Sequence, residues 1–245
     1  MLQARRAYCV PRVARVVSLD VMNTLIAPKE NPMIVYSREA YKHGIVCEQE
    51  HLLSAFHKSM SFYSGKYPCF GFGNITAQKW WHYVIKDSIA KATNERIPDD
   101  TMENISHNLY ELYKDPSVWR IVDEEVIPFL TNLRRKGLSL VITSNFDIRL
   151  RNLLKDMNVI ELFDMVLISG ELGIEKPDPR IFNLILKHFK LDSPSELLHI
   201  GDNLRKDYLG AKDIGAKAIL FDPLLKDSSI DLSNKITTFQ NLDLY

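Results

Sequence analysis

Asp20, Asp202 and Asp207, with Lys176 and the pair Ser144-Asn145, are the residues whose types and spacing could do chemistry. Apolar runs at 16–19, 138–142 and 197–200 end in Asp20, in Thr143-Ser144-Asn145 and in Gly201-Asp202-Asn203, with Asp207 five positions beyond Asp202. Lys176 stands in Glu175-Lys176-Pro177-Asp178-Pro179, pinned by prolines ahead of a helix. Three carboxylates crowded together repel unless a cation sits among them. Hard oxygen ligands with no His or Cys nearby suggest Mg2+. A metal, an ammonium and a hydroxyl make a cradle for a phosphoryl group, whose transfer depends on charge neutralisation and positioning. Asp20 is then placed as a nucleophile, in the manner of carboxylates that form aspartyl phosphates.

Taken singly, each group has an ordinary explanation. Asp20 could be an acid in the turn after a core strand. Ser144 and Asn145 could cap the next helix, Lys176 could be a solvated charge, and Gly201-Asp202-Asn203 could be only a turn. Their order and their shared position at strand ends favour the joint reading, because open α/β folds bind ligands at the carboxyl edge of the sheet.

The elements that must position them can be read from periodicity. Buried-strand runs occur at 16–19, 138–143, 165–169, 197–200 and 217–221, and helical patterns at 127–136, 148–157, 180–189 and 208–214. Such alternation implies a parallel sheet with helices on both faces. The first strand cannot stand alone and must join the later block. Between them, Pro28 and Pro32 break the chain, and helical patterns follow at 33–43, 48–63, 76–90 and 100–114 without a strand signal. Residues 64–74, SGKYPCFGFGN, read as a long loop suited to substrate selection. Trp80 and Trp81 are expected to pack mainly within the helical segment. The expectation is a three-layer, Rossmann-like α/β core from residues 1–26 and 116–245, with an all-helical insertion, 27–115, over the Asp20 site. Residues 226–245 are polar and weakly patterned.

The bulk numbers bound the function classes. The chain has 245 residues, 46% apolar and 25% charged, with 31 basic and 31 acidic side chains. A zero net charge asks for neither nucleic acid nor an anionic membrane as partner. No apolar run approaches the roughly 20 residues needed to span a bilayer. Cys9, Cys47 and Cys69 are scattered and odd in number, which argues against a disulfide framework and for a reducing compartment, the cytoplasm. The first nineteen residues hold Arg5, Arg6, Arg12 and Arg15 and no acid. That bias can mark a mitochondrial transit peptide, so the mitochondrion is the alternative. Oligomeric state is not legible.

The set resembles the haloacid dehalogenase (HAD) superfamily, with motifs at 20–24 (Asp-Val-Met-Asn-Thr), 143–145, Lys176 and 201–207. The resemblance spans essentially the whole chain, with 27–115 in the place of the family's C1 cap. It implies that Asp20 is nucleophile and metal ligand, and that the carbonyl of Met22 and the carboxylate of Asp202 also hold Mg2+. Ser144 and the backbone of Asn145 would bind phosphoryl oxygens, and Lys176 would offset the charge of Asp20 and substrate. Asp207 would stand behind the metal or reach it through water.

One position departs from the pattern. Family phosphatases carry a second Asp two residues after the nucleophile, which protonates the leaving oxygen and later activates water. Here it is Met22. Loss of such a group costs about 10²–10⁴ in rate. Three readings follow. The preferred one is an attenuated Mg2+-dependent phosphomonoesterase acting on a small phosphorylated metabolite. It would be slow, confined to good leaving groups, or served by a cap acid from His43, His51, His57 or His82. The second is a binding or scaffold module. The third is a dehalogenase, whose halide leaves without a proton but whose chemistry needs no metal.

Overall fold

The computed structural model describes residues 14–243 and the short strand Tyr8–Cys9. Arg5, Arg6 and Arg12, on which the targeting reading rests, lie outside the described residues. In chain order the elements are β1 (Val16–Leu19), β2 (Ile26–Pro28), α1 (Pro32–Tyr41), α2 (Gln49–Lys66), α3 (Ala77–Thr93), α4 (Asp99–Leu112) and β3 (Trp119–Ile121). They continue with α5 (Val126–Arg135), β4 (Ser139–Ser144), α6 (Leu150–Asp156), β5 (Met165–Ile168), α7 (Pro179–His188), β6 (Leu197–Gly201), α8 (Gly210–Asp213), β7 (Lys217–Phe221) and β8 (Lys235–Ile236).

Six strands form one parallel sheet in the order β5-β4-β1-β6-β7-β8. This is the Rossmann order, and it reverses between β1 and β6, where the carboxyl ends leave a crevice. β1 and β6 are buried along their whole length, as a sheet covered on both faces requires. Successive side chains point to opposite faces. Val17, Leu19, Leu140 and Ile142 therefore pack with Phe129 and Leu130 of α5 and Leu153 of α6. Val16, Val141 and Leu197 pack with Ile181, Phe182 and Ile185 of α7. Burying each such side chain contributes about 1.5–3 kcal/mol, so both helical layers are pressed onto the sheet and the strand ends are held in register.

Helices α1 to α4 have a core of their own, built on Tyr36, Leu52, Ile85, Ile89, Met102 and Ile105. The ends of α1 and α3 follow capping chemistry. Asn31 accepts a bond from the Met33 N–H at 2.9 Å ahead of α1, and Thr76 accepts from the Lys79 N–H ahead of α3. Asn94, in the left-handed region at φ 56°, closes α3. Among the described residues no helix is long and apolar enough to cross a membrane.

Four features differ from expectation. β2 and β3 form a two-stranded antiparallel arm at the junction of core and insertion, so Pro28, expected to break the chain, sits in a strand. An edge of such a ribbon tolerates the missing N–H. α2 runs on to Lys66, and the expected loop contracts to a tight turn in which Cys69 (φ 51°) and Phe70 (φ 58°) are both left-handed. Residues 204–209 form a wide π-type turn before α8 rather than a plain helix. The C-terminal stretch supplies β8, and Phe239 is buried against Phe221 at 5.1 Å between ring centroids.

Candidate active site

Asp20 follows β1 directly, its N–H donating to the Ile200 carbonyl at 2.9 Å. Lys176 Nζ donates to Asp20 Oδ1 at 2.7 Å and to Asp207 Oδ1 at 2.6 Å. Lys176 is 2% exposed, so its charge is seated between these two carboxylates rather than solvated. The loop that delivers it is held by Asn145. That side chain donates to the Lys176 carbonyl and accepts from the Lys176 N–H, both at 2.8 Å. Asn145 thus positions the lysine, a role the sequence did not disclose.

Asp207 reaches back to the strand end from the π-type turn. Its Oδ2 accepts from the Asn203 N–H at 2.9 Å, and His199 Nε2 lies 3.1 Å from Oδ1. A Cβ on Gly201 would stand 2.3 Å from Asp207 Cγ, so only glycine admits the carboxylate here. Asp202 is partly exposed, and Asn23 Nδ2 donates to it at 3.4 Å. Oxygens of Asp20, Asp202 and Asp207 all lie within 4.8 Å of one another.

The electrostatics follow from this crowding. Burial, followed by the charges of Asp207 and Asp202, pushes Asp20 up to about 7 against the pull of Lys176. Burial and the charge of Asp207 push Asp202 up to about 6. Asp207 is lowered: burial opposes ionisation, but Lys176 and His199 outweigh it. Lys176 is raised, since its two carboxylates overcome the cost of burial. Asp20 and Asp202 are thus costly to ionise without a further cation, and their hard oxygens fit a divalent ion such as Mg2+. Both oxygens of Asp207 already accept hydrogen bonds, which leaves it poorly placed to ligate a metal directly.

Ser144, the last residue of β4, has a buried hydroxyl without a hydrogen-bond partner. A buried polar atom left open costs about 1–3 kcal/mol, and at a strand end beside β1 it is available to a ligand oxygen. The Met22 side chain, half-buried, lines a cavity of about 620 Å³ between the sheet edge and the helical insertion. Asn23 and Asn145 line it too.

Two groups went unnoticed in the sequence. The first is a polar row inside the sheet: Thr143 Oγ1 lies 2.7 Å from Ser18 Oγ, which lies 3.1 Å from His199 Nδ1. The expectation of a carboxylate cluster with no histidine nearby is therefore corrected, because His199 touches Asp207. Polar residues within three two-sided buried strands were the available signal, since such groups need partners. The second is a bridge between core and insertion. Asp147, fully buried, accepts from Arg149 Nε and Nη2 and from Trp81 Nε1 at 2.7 Å. Arg149 Nη1 donates to the Tyr110 carbonyl at 2.8 Å, and its guanidinium lies 3.9 Å from the centre of the Tyr110 ring.

None of the four candidate histidines of the insertion lines this cavity. His43, His51 and His57 are exposed and do not line the cavity, and His82 bonds Ser106 in a separate groove. The tryptophans divide: Trp80 is buried in the insertion and donates to the Tyr67 carbonyl, whereas Trp81 lines the cavity.

A sequence profile described as haloacid dehalogenase-like hydrolase matches residues 15–215. The chain is 33% identical over 221 residues to haloacid dehalogenase-like hydrolase domain-containing protein 3 of Bos taurus, covering 87% of this chain and 86% of that one. Among solved structures, a HAD phosphatase from Thermococcus onnurineus aligns with a TM-score of 0.61 at 22% identity, over 92% of this chain and 94% of its own. A 2-haloacid dehalogenase from Pseudomonas syringae pv. Tomato aligns with a TM-score of 0.62 at 22% identity, over 92% and 95%. One fold thus carries both chemistries, and at these identities it does not choose between them. The order of the sheet, the strand-end acids and the profile match agree: the chain belongs to the haloacid dehalogenase-like hydrolase family.

Proposed function

We propose that the protein is a Mg2+-dependent phosphomonoesterase acting on a small phosphorylated metabolite through Asp20, attenuated because Met22 stands where an acid/base is needed. The observation that carries this reading is the lysine shared by two buried carboxylates, with a third carboxylate within 4.8 Å. Such a cluster is suited to gathering a divalent cation and a phosphoryl group. A carbon–halogen hydrolase could use the lysine beside its nucleophile but needs no metal, so the gathering of three carboxylates favours the phosphatase.

In this reading residues 1–26 and 116–245 form the catalytic core and 27–115 the cap. Asp20, Asp202 and the Met22 carbonyl would hold Mg2+, and Asp207 would act from behind through Lys176 or through water. Bound there, the ion would neutralise phosphoryl charge and keep Asp20 and Asp202 ionised. Lys176 grips Oδ1 of Asp20, which leaves Oδ2 to attack phosphorus. The Ser144 hydroxyl and the Asn145 backbone receive phosphoryl oxygens. The P–O bond to the leaving group breaks as the bond to Asp20 forms; water then attacks phosphorus, restores the carboxylate and releases phosphate. Met22 can neither give a proton to the leaving oxygen in the first step nor take one from water in the second.

Met22 also favours a second reading, a binding or scaffold module that holds metal and phosphate with negligible turnover. The buried thiols Cys47 and Cys69 support a reducing compartment, the cytoplasm, with the mitochondrion as alternative. A panel of phosphate esters, assayed with Mg2+ and with EDTA beside Asp20→Asn, separates the readings. Metal-dependent turnover lost in Asp20→Asn supports the enzyme. Mg2+ binding without turnover supports the module, and EDTA-insensitive halide release from haloacids supports the dehalogenase.

A further inference from the structure

The cavity that begins at Met22 is unlike one built for a sugar or an amino acid. Its walls include Tyr36, Phe56, Phe70, Trp81, Ile85 and Trp119. Phe70 is held there by two consecutive left-handed residues, with its ring 5.0 Å from Trp80 and 6.1 Å from Trp81. Backbone strain of this kind persists where the surroundings over-determine it. Several polar groups on the walls are already engaged, with the buried Tyr113 hydroxyl left open. Arg149 spends its donors on Asp147 and the Tyr110 carbonyl. Glu30 is paired with Arg38 near the exposed Lys29 and Arg120. Burial holds the phenols of Tyr36 and Tyr113 protonated, Tyr113 up to about 12. A sugar or an amino acid would strip its hydroxyls or charges of water and find few partners.

Met22 adds an independent constraint at the reacting end. Two positions beyond Asp20, it lines the cavity with Asn145, and its thioether offers no proton. A phenolic oxygen, with a pKa near 10 as in tyrosine, carries departing negative charge far better than an alkanol, whose acidity is nearer that of water at about 15.7.

We propose that the cavity holds the leaving group of the phosphate ester, and that this group is an apolar aryl or similarly weakly basic alcohol that departs as its oxyanion. This rests on the phosphatase reading. Asp20 Oδ2 forms a bond to phosphorus while the phosphorus–oxygen bond to the aryl group breaks, and the aryloxide leaves with the electron pair and no proton from the protein. Water then attacks the aspartyl phosphate, giving the free carboxylate and dihydrogen phosphate, which retains the water's protons. At about 620 Å³ the space exceeds a single ring and suits a bicyclic group.

The test uses the full chain with Mg2+ and compares kcat/KM for naphthyl phosphate, phenyl phosphate, phosphoserine and a hexose phosphate, with a series of substituted phenyl phosphates. Naphthyl phosphate should exceed the two polar esters by roughly tenfold or more, the scale on which an apolar pocket discriminates. Within the phenyl series kcat/KM should fall steeply as the leaving group becomes more basic, and Met22→Asp should flatten that slope. Leu53→Glu, at a half-exposed position of the cavity wall, should lower the ratio of naphthyl to phenyl ester. As a binding readout, naphthyl phosphate should quench the tryptophan fluorescence of Asp20→Asn, because Trp81 and Trp119 line the cavity, and inorganic phosphate should not. Equal or better turnover of phosphoserine or hexose phosphate overturns this inference and leaves the phosphatase reading standing. Absence of turnover with every ester overturns both.

Discussion

Arg149→Ala tests the bridge that ties the helical insertion to the sheet. Wild-type Arg149 is 9% exposed, and its side chain makes two bonds to the fully buried Asp147, one to the Tyr110 carbonyl and a stacked contact with the Tyr110 ring. Truncation leaves Asp147 a buried carboxylate served by the Trp81 indole and the backbone N–H of residue 149. Removing one partner of a buried ion pair costs about 3–5 kcal/mol, most of it from stranding the other charge. For a chain of this length each kcal/mol moves Tm by roughly 2–4 °C, so the variant should melt about 6–20 °C below wild type. Thermal unfolding followed by circular dichroism reads this directly. Replacing both residues, as Asp147→Leu with Arg149→Met, removes the stranded charge and should cost less than Arg149→Ala alone. A variant that melts within about 2 °C of wild type, or a double variant worse than the sum of its singles, would refute the reasoning.

Three further outcomes follow from the site. Met22→Asp restores the missing acid and base and should raise kcat by about 10²–10⁴ on esters of alkanols; an unchanged rate in a steady-state assay would mean that the defect lies elsewhere. Asp20 binds protons more tightly in the folded state, at about 7, than in the unfolded chain, at 3.8. Between those values the folded state carries more protons, so stability falls as pH rises. Metal-free Asp20→Asn should therefore gain stability over wild type from pH 4 to pH 7 and level off above; a gain largest at low pH in denaturant titrations would reverse the assignment. Gly201→Ala drives a methyl into Asp207 and should abolish turnover even where circular dichroism shows a folded chain; wild-type turnover would show that Asp207 needs no such close approach.

Much of this was legible because strands buried on both faces announce themselves as short apolar runs, and the polar residues that end them stand out. Asp20, Lys176, Asp202 and Asp207, separated by up to 187 positions, meet because the Rossmann order brings β1 and β6 together. What stayed hidden was of other kinds. A strand's own sequence does not tell which residues its neighbours will set beside it, so the row joining Ser18, Thr143 and His199 appears only once the sheet aligns them. β8 is two residues long, too short to carry a period. The turn at Cys69 and Phe70 sits among glycines, and loop composition gave no sign that two non-glycine residues would take the left-handed conformation. Asp147 and Arg149 carried no signal of their own, and only the packing of α3 and α4 over the sheet makes them a bridge.

The account turns on a covalent bond between Asp20 and phosphorus, and on water attacking it slowly for want of a base. Acid-quenched protein incubated with Mg2+ and nitrophenyl phosphate should therefore accumulate one phosphoryl group per chain, found by peptide mass spectrometry on Asp20, absent with EDTA and absent in Asp20→Asn. Steady turnover with the phosphoryl group on any other residue, or undiminished in Asp20→Asn, would contradict it.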